Sequence, residues 1–315
     1  MSMGLVGQDE DDDDVRKIVH AVALTIGELG WLGPAAAVPP IPGYEMSGTV
    51  VEAPKTSPFQ PGTEVYACTS FARQGNAREF TIALTEELGQ RPENLSWEEG
   101  GHGALIGSNG LAGSLPTTAP PSIPPQASST WHQPQRSLSI TGCGANATKR
   151  VLITAAAGGV GLWAVQLARL AGVGHITATC GEGNVGFVRS LGAHRVVDYA
   201  ANRNNSRDKY DLVLDCVGGD VLRYAWTRAR HGGIVISVAA PADQFRPESG
   251  VGMDVRSAWF NVEANSRQLQ AITDLIEAEM ARAAFDSAFP LAQHEEAFGN
   301  AYSGHLRGKV VLRLA

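Results

Sequence analysis

The chain has 315 residues, 43% of them hydrophobic, with 25 basic against 32 acidic side chains and a net charge of −7. That length holds two domains more readily than one, and no run approaches the roughly 18 uninterrupted apolar residues of a membrane-spanning helix. The run Asp9 to Asp14 supplies six of the negative charges, so the remainder carries −1. No basic stripe balances it, which argues against a nucleic-acid partner.

In chain order, residues 1–14 read as a disordered acidic tail, because like charges repel and nothing apolar offsets them. The first thirty residues lack the basic-then-apolar order of a secretory signal. Cys68, Cys143, Cys180 and Cys216 stand far apart with no C-x-x-C pair. Reduced thiols, no zinc ligand set and a cytoplasmic location are therefore expected.

From residue 15 to 112, short apolar runs such as 48-GTVVEAP-54 and 62-GTEVYAC-68 alternate with Gly and Pro. Runs of that length, rich in Val, Thr and Tyr, predict strands of a compact β-rich unit. Residues 113–149 carry six of the seventeen prolines within 114-SLPTTAPPSIPPQASSTWHQPQ-135. Proline fixes φ and removes a donor, so this piece reads as a linker or exposed loop.

From 150 to 262 the texture changes to apolar strands separated by helices: 151-VLITA-155, 162-LWAVQLARLAG-172, 175-HITATC-180, 185-VGFVRSLG-192, 195-RVVDY-199, 211-DLVLDCV-217 and 233-GIVISVA-239. Continuously apolar strands need cover on both faces, and the intervening helices provide it. The expectation is an α/β unit with a doubly wound parallel sheet. A helix over 266–283 and a strand over 309–315 complete the chain.

The most informative segment is 151-VLITAAAGGVGLWAVQLARLAG-172, where a strand runs into a glycine turn that opens a helix. Laid on the dinucleotide fingerprint, its three glycine positions become Ala156, Gly158 and Gly161. Gly158 would let backbone approach a pyrophosphate, Gly161 would let the helix pack on its strand, and the N–H groups of Gly159 through Gly161 would face the phosphates. An NAD site expects a carboxylate at the tip of the next strand to hold the ribose 2′-hydroxyl. That strand ends in Cys180 and Gly181, with Glu182 beyond it. The missing carboxylate favours NADP.

Taken in order, 41-IPGYEMSGTVVE-52, 61-PGTEVYA-67, the glycine turn, 189-RSLGAHRVVDY-199, 211-DLVLDCVGG-219 and 304-GHLRGKVVL-312 resemble the zinc-independent branch of the medium-chain dehydrogenase/reductase superfamily. The likeness is to its quinone-oxidoreductase-like and enoyl-reductase-like members. It implies a Rossmann cofactor domain at 150–262 and a GroES-like β-rich substrate domain formed from both chain ends, 15–112 with 263–315. It also implies NADPH-dependent reduction of a conjugated carbonyl, enoyl or quinone small molecule without zinc. Its phosphate loop maps to Ala157, Gly158, Gly159, Val160 and Gly161. Its ribose and 2′-phosphate neighbours map to Cys180, Asn184 and Tyr199, and its nicotinamide-side strand ends to Cys216, Val217, Val238 and Ala239.

The zinc-dependent branch would carry Cys near Thr25 and Gly-His-Glu at 43–45, where this chain has Gly43, Tyr44 and Glu45. The resemblance allows a homodimer through the edge of the Rossmann sheet, with 233-GIVISVA-239 leading into that edge. It also expects strands before residue 19, where the acidic tail stands. The catalytic candidates are Tyr66, which could hydrogen-bond a developing oxyanion, and Thr25 and Glu28, which lie in the segment that lines the family's substrate pocket; Glu45 is expected to cap the turn or to pair with Arg73 or Arg78. Two rivals keep the same fold. One is an enzyme that has lost hydride chemistry and catalyses a non-redox step. The other is an NADPH-binding sensor or interaction protein without catalysis.

Overall fold

In the computed structural model the residues described are 14–26, 28, 40–101, 145–200, 208–260 and 262–314. The tail up to residue 13, and 102–144 with most of the proline-rich stretch, lie outside them. The strands in order are β1 (Asp14–Ala23), β2 (Glu45–Glu52), β3 (Glu64–Cys68), β4 (Phe80–Leu84) and β5 (Leu88–Gln90). Next come β6 (Arg150–Ile153), helix α1 (Gly161–Leu170), β7 (His175–Cys180), α2 (Val185–Ser190), β8 (Arg195–Asp198) and β9 (Tyr210–Asp215). Helix α3 (Gly219–Arg228), β10 (Ala229–Ser237), β11 (Arg256–Trp259), α4 (Ser266–Glu277), β12 (Ser287–Pro290), α5 (His294–Ala301) and β13 (Val310–Arg313) follow. The chain divides into two compact units, Met1–Asn109 with Val262–Ala315, and Gly110–Asn261.

The split unit is a seven-stranded sheet, ordered β12-β13-β1-β2-β3-β5 with β4 also pairing β1. Strand β1 is its hub: Val22 faces Leu312 of β13 and Met46 of β2, and Asp14 faces Leu84 of β4. Asp14, expected in the tail, therefore opens a strand. Of the strands expected before residue 19, only the opening of β1 lies among the described residues. Alternation explains the strand: Val15, Val19 and Ala21 point inward and Arg16 outward. Val15, Val19, Met46, Val50, Val65 and Leu88 form the core against one face, each contributing roughly 1.5–3 kcal/mol of burial for a fully buried large apolar side chain.

Helix α4 stops at Glu277 rather than running to 283. Glu279 adopts φ +56, and Met280 N–H turns back to Leu275 O at 2.9 Å. A left-handed residue ends a helix in this way by satisfying its last carbonyls. The helix start is fixed by Asn265, whose side chain accepts from Gln268 N–H.

The second unit is an all-parallel six-stranded sheet in the order β11-β10-β9-β6-β7-β8. Numbered within the unit this is 6-5-4-1-2-3, the Rossmann order, with its reversal between β6 and β9. The segment 233–239 leads into β11, an edge strand of this sheet. It lies in β10 between β9 and β11, and β11 and β8 form the edges. Trp226 of α3 packs in the core with Leu222, Val213 and Val235, its indole N–H held by Ala242 O at 2.8 Å.

Candidate cofactor and substrate sites

Ligands of open parallel sheets bind outside the carboxyl ends of the strands where the order reverses. Here that place lies beyond Ile153 of β6 and Asp215 of β9. The turn after β6 is pinned to β7, with Ala155 N–H on Thr179 Oγ1 (3.3 Å) and Ala156 N–H on Thr179 O (2.7 Å). Ala155 has φ +47, so the left-handed position of the turn falls one residue before Ala156, the first position of the glycine fingerprint. A Cβ on Gly161 would lie 2.3 Å from Ala155 O and 2.7 Å from Ala156 Cα, which only glycine avoids. On Gly158 a Cβ would meet only Ala155 O, at 3.3 Å, within 4 Å, so that face is open.

Helix α1 begins with no side-chain cap and no acidic residue in its first turn. Leu162 N–H donates to Gly158 O (3.1 Å) and Gly158 N–H to Ala155 O (2.9 Å), so the N–H groups of Gly159, Val160 and Gly161, at the positive end of the helix dipole, are the ones that suit a phosphate. Gly158, Gly159 and Val160 are half-buried there, whereas Ala157 is buried. At the tip of β7, Cys180 is buried and its thiol is pushed up to about 11 by burial and then by Asp198. Tyr199 N–H donates to Cys180 O (3.2 Å), and the Tyr199 hydroxyl lies over Gly181. Cys180 and Tyr199 thus meet, while Asn184 starts α2 two residues after Glu182. Asp198 turns one carboxylate oxygen to Ala200 N–H at 2.9 Å.

One residue of this crevice escaped the sequence reading. Asp215, fully buried, accepts from Thr154 Oγ1 (3.1 Å), Gly218 N–H (2.8 Å), Ser237 Oγ (3.0 Å) and Val217 N–H (3.4 Å). Thr154 Oγ1 in turn accepts from Cys216 N–H (2.9 Å), and Ser237 Oγ from the N–H groups of Ala239 and Ala240 (3.2 Å each). One carboxylate therefore orients the ends of β6, β9 and β10. It brings Cys216, Val217, Val238 and Ala239 to one rim, with Val217 and Ala239 exposed. Burial, then Asp215, pushes the Cys216 thiol far up, which makes it a poor nucleophile.

In the split unit, Tyr66 is a core residue. Its hydroxyl is buried, donates to Leu269 O (2.7 Å) and contacts Thr273 Oγ1 (3.0 Å), and burial raises its pKa well above the phenol range. The expectation that it hydrogen-bonds a substrate oxyanion is corrected: helix α4 already uses the hydroxyl. Thr25 and Glu28 do meet, in a polar cluster with Gly43, Glu45 and Lys309. Lys309 Nζ pairs with Glu45 and donates to Thr25 Oγ1 (2.7 Å), and Thr25 Oγ1 donates to Glu45 (3.2 Å). Glu45 is thus paired with Lys309; Arg73 pairs with Glu87 instead. Glu28 is buried, one carboxylate oxygen accepting Gly43 N–H at 3.1 Å and the other without a partner among the described residues. Burial pushes its carboxyl up to about 7, against the opposing pull of Gly43 N–H and Lys309.

The description "Alcohol dehydrogenase GroES-like domain" matches residues 11–106, and "Zinc-binding dehydrogenase" matches 191–312. A protein of Arthroderma benhamiae named "Probable zinc-binding oxidoreductase, mitochondrial" is 39% identical over 97% of this chain and 89% of its own length. The "Chloroplast envelope quinone oxidoreductase homolog" of Arabidopsis thaliana is 31% identical over 87% of this chain and 80% of that protein. The chain belongs to the medium-chain dehydrogenase/reductase superfamily, among its quinone-oxidoreductase-like members. The solved quinone oxidoreductase of Coxiella burnetii shares the fold, with a TM-score of 0.76, 22% identity, and 96% and 91% of the two chains covered.

By that membership the protein is an oxidoreductase of an NAD(P)-binding family. The turn of residues 155–161 and the uncapped helix α1 fit a dinucleotide's phosphates. Among the described residues a catalytic zinc finds no fitting ligand set. Where a relative could place thiolate, imidazole and carboxylate, this chain places Thr25, Tyr44 and a Glu45 already neutralised by Lys309. Among the described residues no group of three His, Cys, Asp or Glu could hold a metal ion. Nor is any helix there long and apolar enough to cross a membrane.

Proposed function

We propose that the protein is an NADPH-dependent, metal-free reductase that transfers hydride to a conjugated carbonyl, enoyl or quinone small molecule. The observation that supports NADPH is the tip of β7. Cys180 and Gly181 stand where an NAD site carries a carboxylate, so the tip itself offers no carboxylate to hold a ribose 2′-hydroxyl. Asp198, the nearest strand-end carboxylate, turns to Ala200 N–H instead.

When bound, the cofactor supplies the hydride; the chain supplies position and protons. The 155–161 turn and the start of α1 hold the phosphates, and Tyr199 over Gly181 borders the ribose. The rim of Cys216, Val217, Val238 and Ala239 takes the nicotinamide side. Glu28, with a carboxyl near pH 7, holds a proton at the pH where a substrate needs one. The same reading makes the protein cytosolic, with no nucleic-acid partner, and dimeric through an edge of its six-stranded sheet. The fungal relative is named mitochondrial, so cell fractionation is the check on location and sedimentation the check on the dimer.

Tryptophan fluorescence titrations with NADPH and NADH test the cofactor. NADPH should bind at least tenfold more tightly, and loss of the reduced nicotinamide absorbance should follow on adding a quinone or an enone. Equal affinities would remove the NADPH assignment, and no binding of either would remove the reading as a whole.

A further inference from the structure

The Asp215 carboxylate is fully buried, accepts from four donors and has no ion-pair partner among the described residues. An ionised carboxylate is an acceptor only, and each of its four contacts is a hydroxyl or N–H group able to donate. Neutral donors satisfy its lone pairs without cancelling its net charge. In a low-dielectric interior that charge acts over longer distances than it would in water. The residue ends β9 and ties it to Thr154 after β6 and Ser237 at the end of β10, so it lies at the reversal of strand order where a dinucleotide binds.

We propose that Asp215 is a positioning residue that also selects the redox state of the bound cofactor, its uncompensated negative charge under the 216–218 and 238–240 rim favouring the oxidised nicotinamide over the reduced one. This deepens the nicotinamide reading above and rests on it. The oxidised ring is cationic and the reduced ring neutral, while the rest of the dinucleotide is the same in both. A fixed charge beneath the ring therefore acts on the difference between the two. A purely architectural role acts on both alike.

The hydroxyls reinforce the arrangement. Thr154 and Ser237 each point their hydrogen at the carboxylate, and this turns their lone pairs to the N–H groups of Cys216, Ala239 and Ala240. The carboxylate thus fixes both the charge under the rim and the direction of the rim's backbone donors.

The test is equilibrium titration of the full chain and of Asp215→Asn, which keeps the shape and removes the charge, with NADP+ and with NADPH. The ratio of the dissociation constant for NADP+ to that for NADPH should rise about fivefold in the variant. Equal weakening of both overturns the proposal and leaves the cofactor reading standing. A wild-type chain that binds neither overturns the cofactor reading and the proposal together. Should Asp215→Asn not fold, Ser237→Ala is titrated instead. It removes one hydroxyl but keeps the charge, so the ratio should stay at the wild-type value or fall; a rise overturns the proposal.

Discussion

Lys309 at the approach to β13 and Glu45 at the start of β2 form a buried ion pair, 264 positions apart in the chain, with Thr25 Oγ1 completing the contact. A pair this buried is held by geometry, and removing one partner strands a charge in the interior. Lys309→Met should cost about 3–5 kcal/mol in urea unfolding. Adding Glu45→Gln should recover most of that loss. A Lys309→Met protein as stable as wild type would show that water reaches Glu45.

Glu28 has a carboxyl near pH 7 in the folded protein, against an ordinary value of 4.5. The folded state then binds the proton more tightly, so stability is highest below pH 4.5 and falls as pH rises through 7. Glu28→Gln, which mimics the protonated form, should leave stability at pH 5 nearly unchanged and raise it by about 1–3 kcal/mol at pH 8.5. In a reductase that uses Glu28 as acid, the same variant should flatten the pH profile of kcat/KM near 7. Thermal unfolding at the two pH values and a rate profile are the measurements.

Lys17 points inward from β1, is fully buried, and its ammonium has no hydrogen-bond partner among the described residues. Burial pulls its pKa down to about 7, with Arg73 and Arg78 adding to the shift and Glu87 and Asp14 opposing it. The unfolded chain keeps the proton up to about 10.5, so stability should rise between pH 7 and 10.5 as the folded lysine loses it. Lys17→Met should stabilise the protein by roughly 1–3 kcal/mol at pH 6, and the gain should shrink toward pH 10.

Ala155 keeps a left-handed backbone at φ +47 without being glycine. Ala155→Gly should relieve about 1 kcal/mol of strain, whereas Gly161→Ala drives a Cβ into the Ala155 carbonyl and should cost about 2–4 kcal/mol. Cofactor affinity should fall at least tenfold in Gly161→Ala and change little in Ala155→Gly. Melting curves and NADPH titration separate the two.

The sequence shows what is local. The apolar runs 211-DLVLDCV-217 and 233-GIVISVA-239 announce buried parallel strands because both faces are covered, and the glycine turn announces itself because only glycine fits at Gly161. The short strands β4 and β5 pass unnoticed. They alternate over so few residues that their partners in β1 and β3 define them. The Lys309–Glu45 pair and the capture of Tyr66 by helix α4 join residues more than 200 positions apart, a distance no local pattern spans. Asp215 reads as one more strand residue until three strand ends converge on it. The left-handed position at Ala155 carries no glycine to announce it.

The antiparallel pairing of β13 with β1 has a consequence for how the protein is made. The six-stranded sheet is complete once Trp259 has left the ribosome. The other sheet waits for residues 310–313, which are made later still, before Ala21, Val22 and Ala23 find their outer neighbours. Until then β1 holds an unfinished edge, so the split unit closes only after the six-stranded sheet is complete.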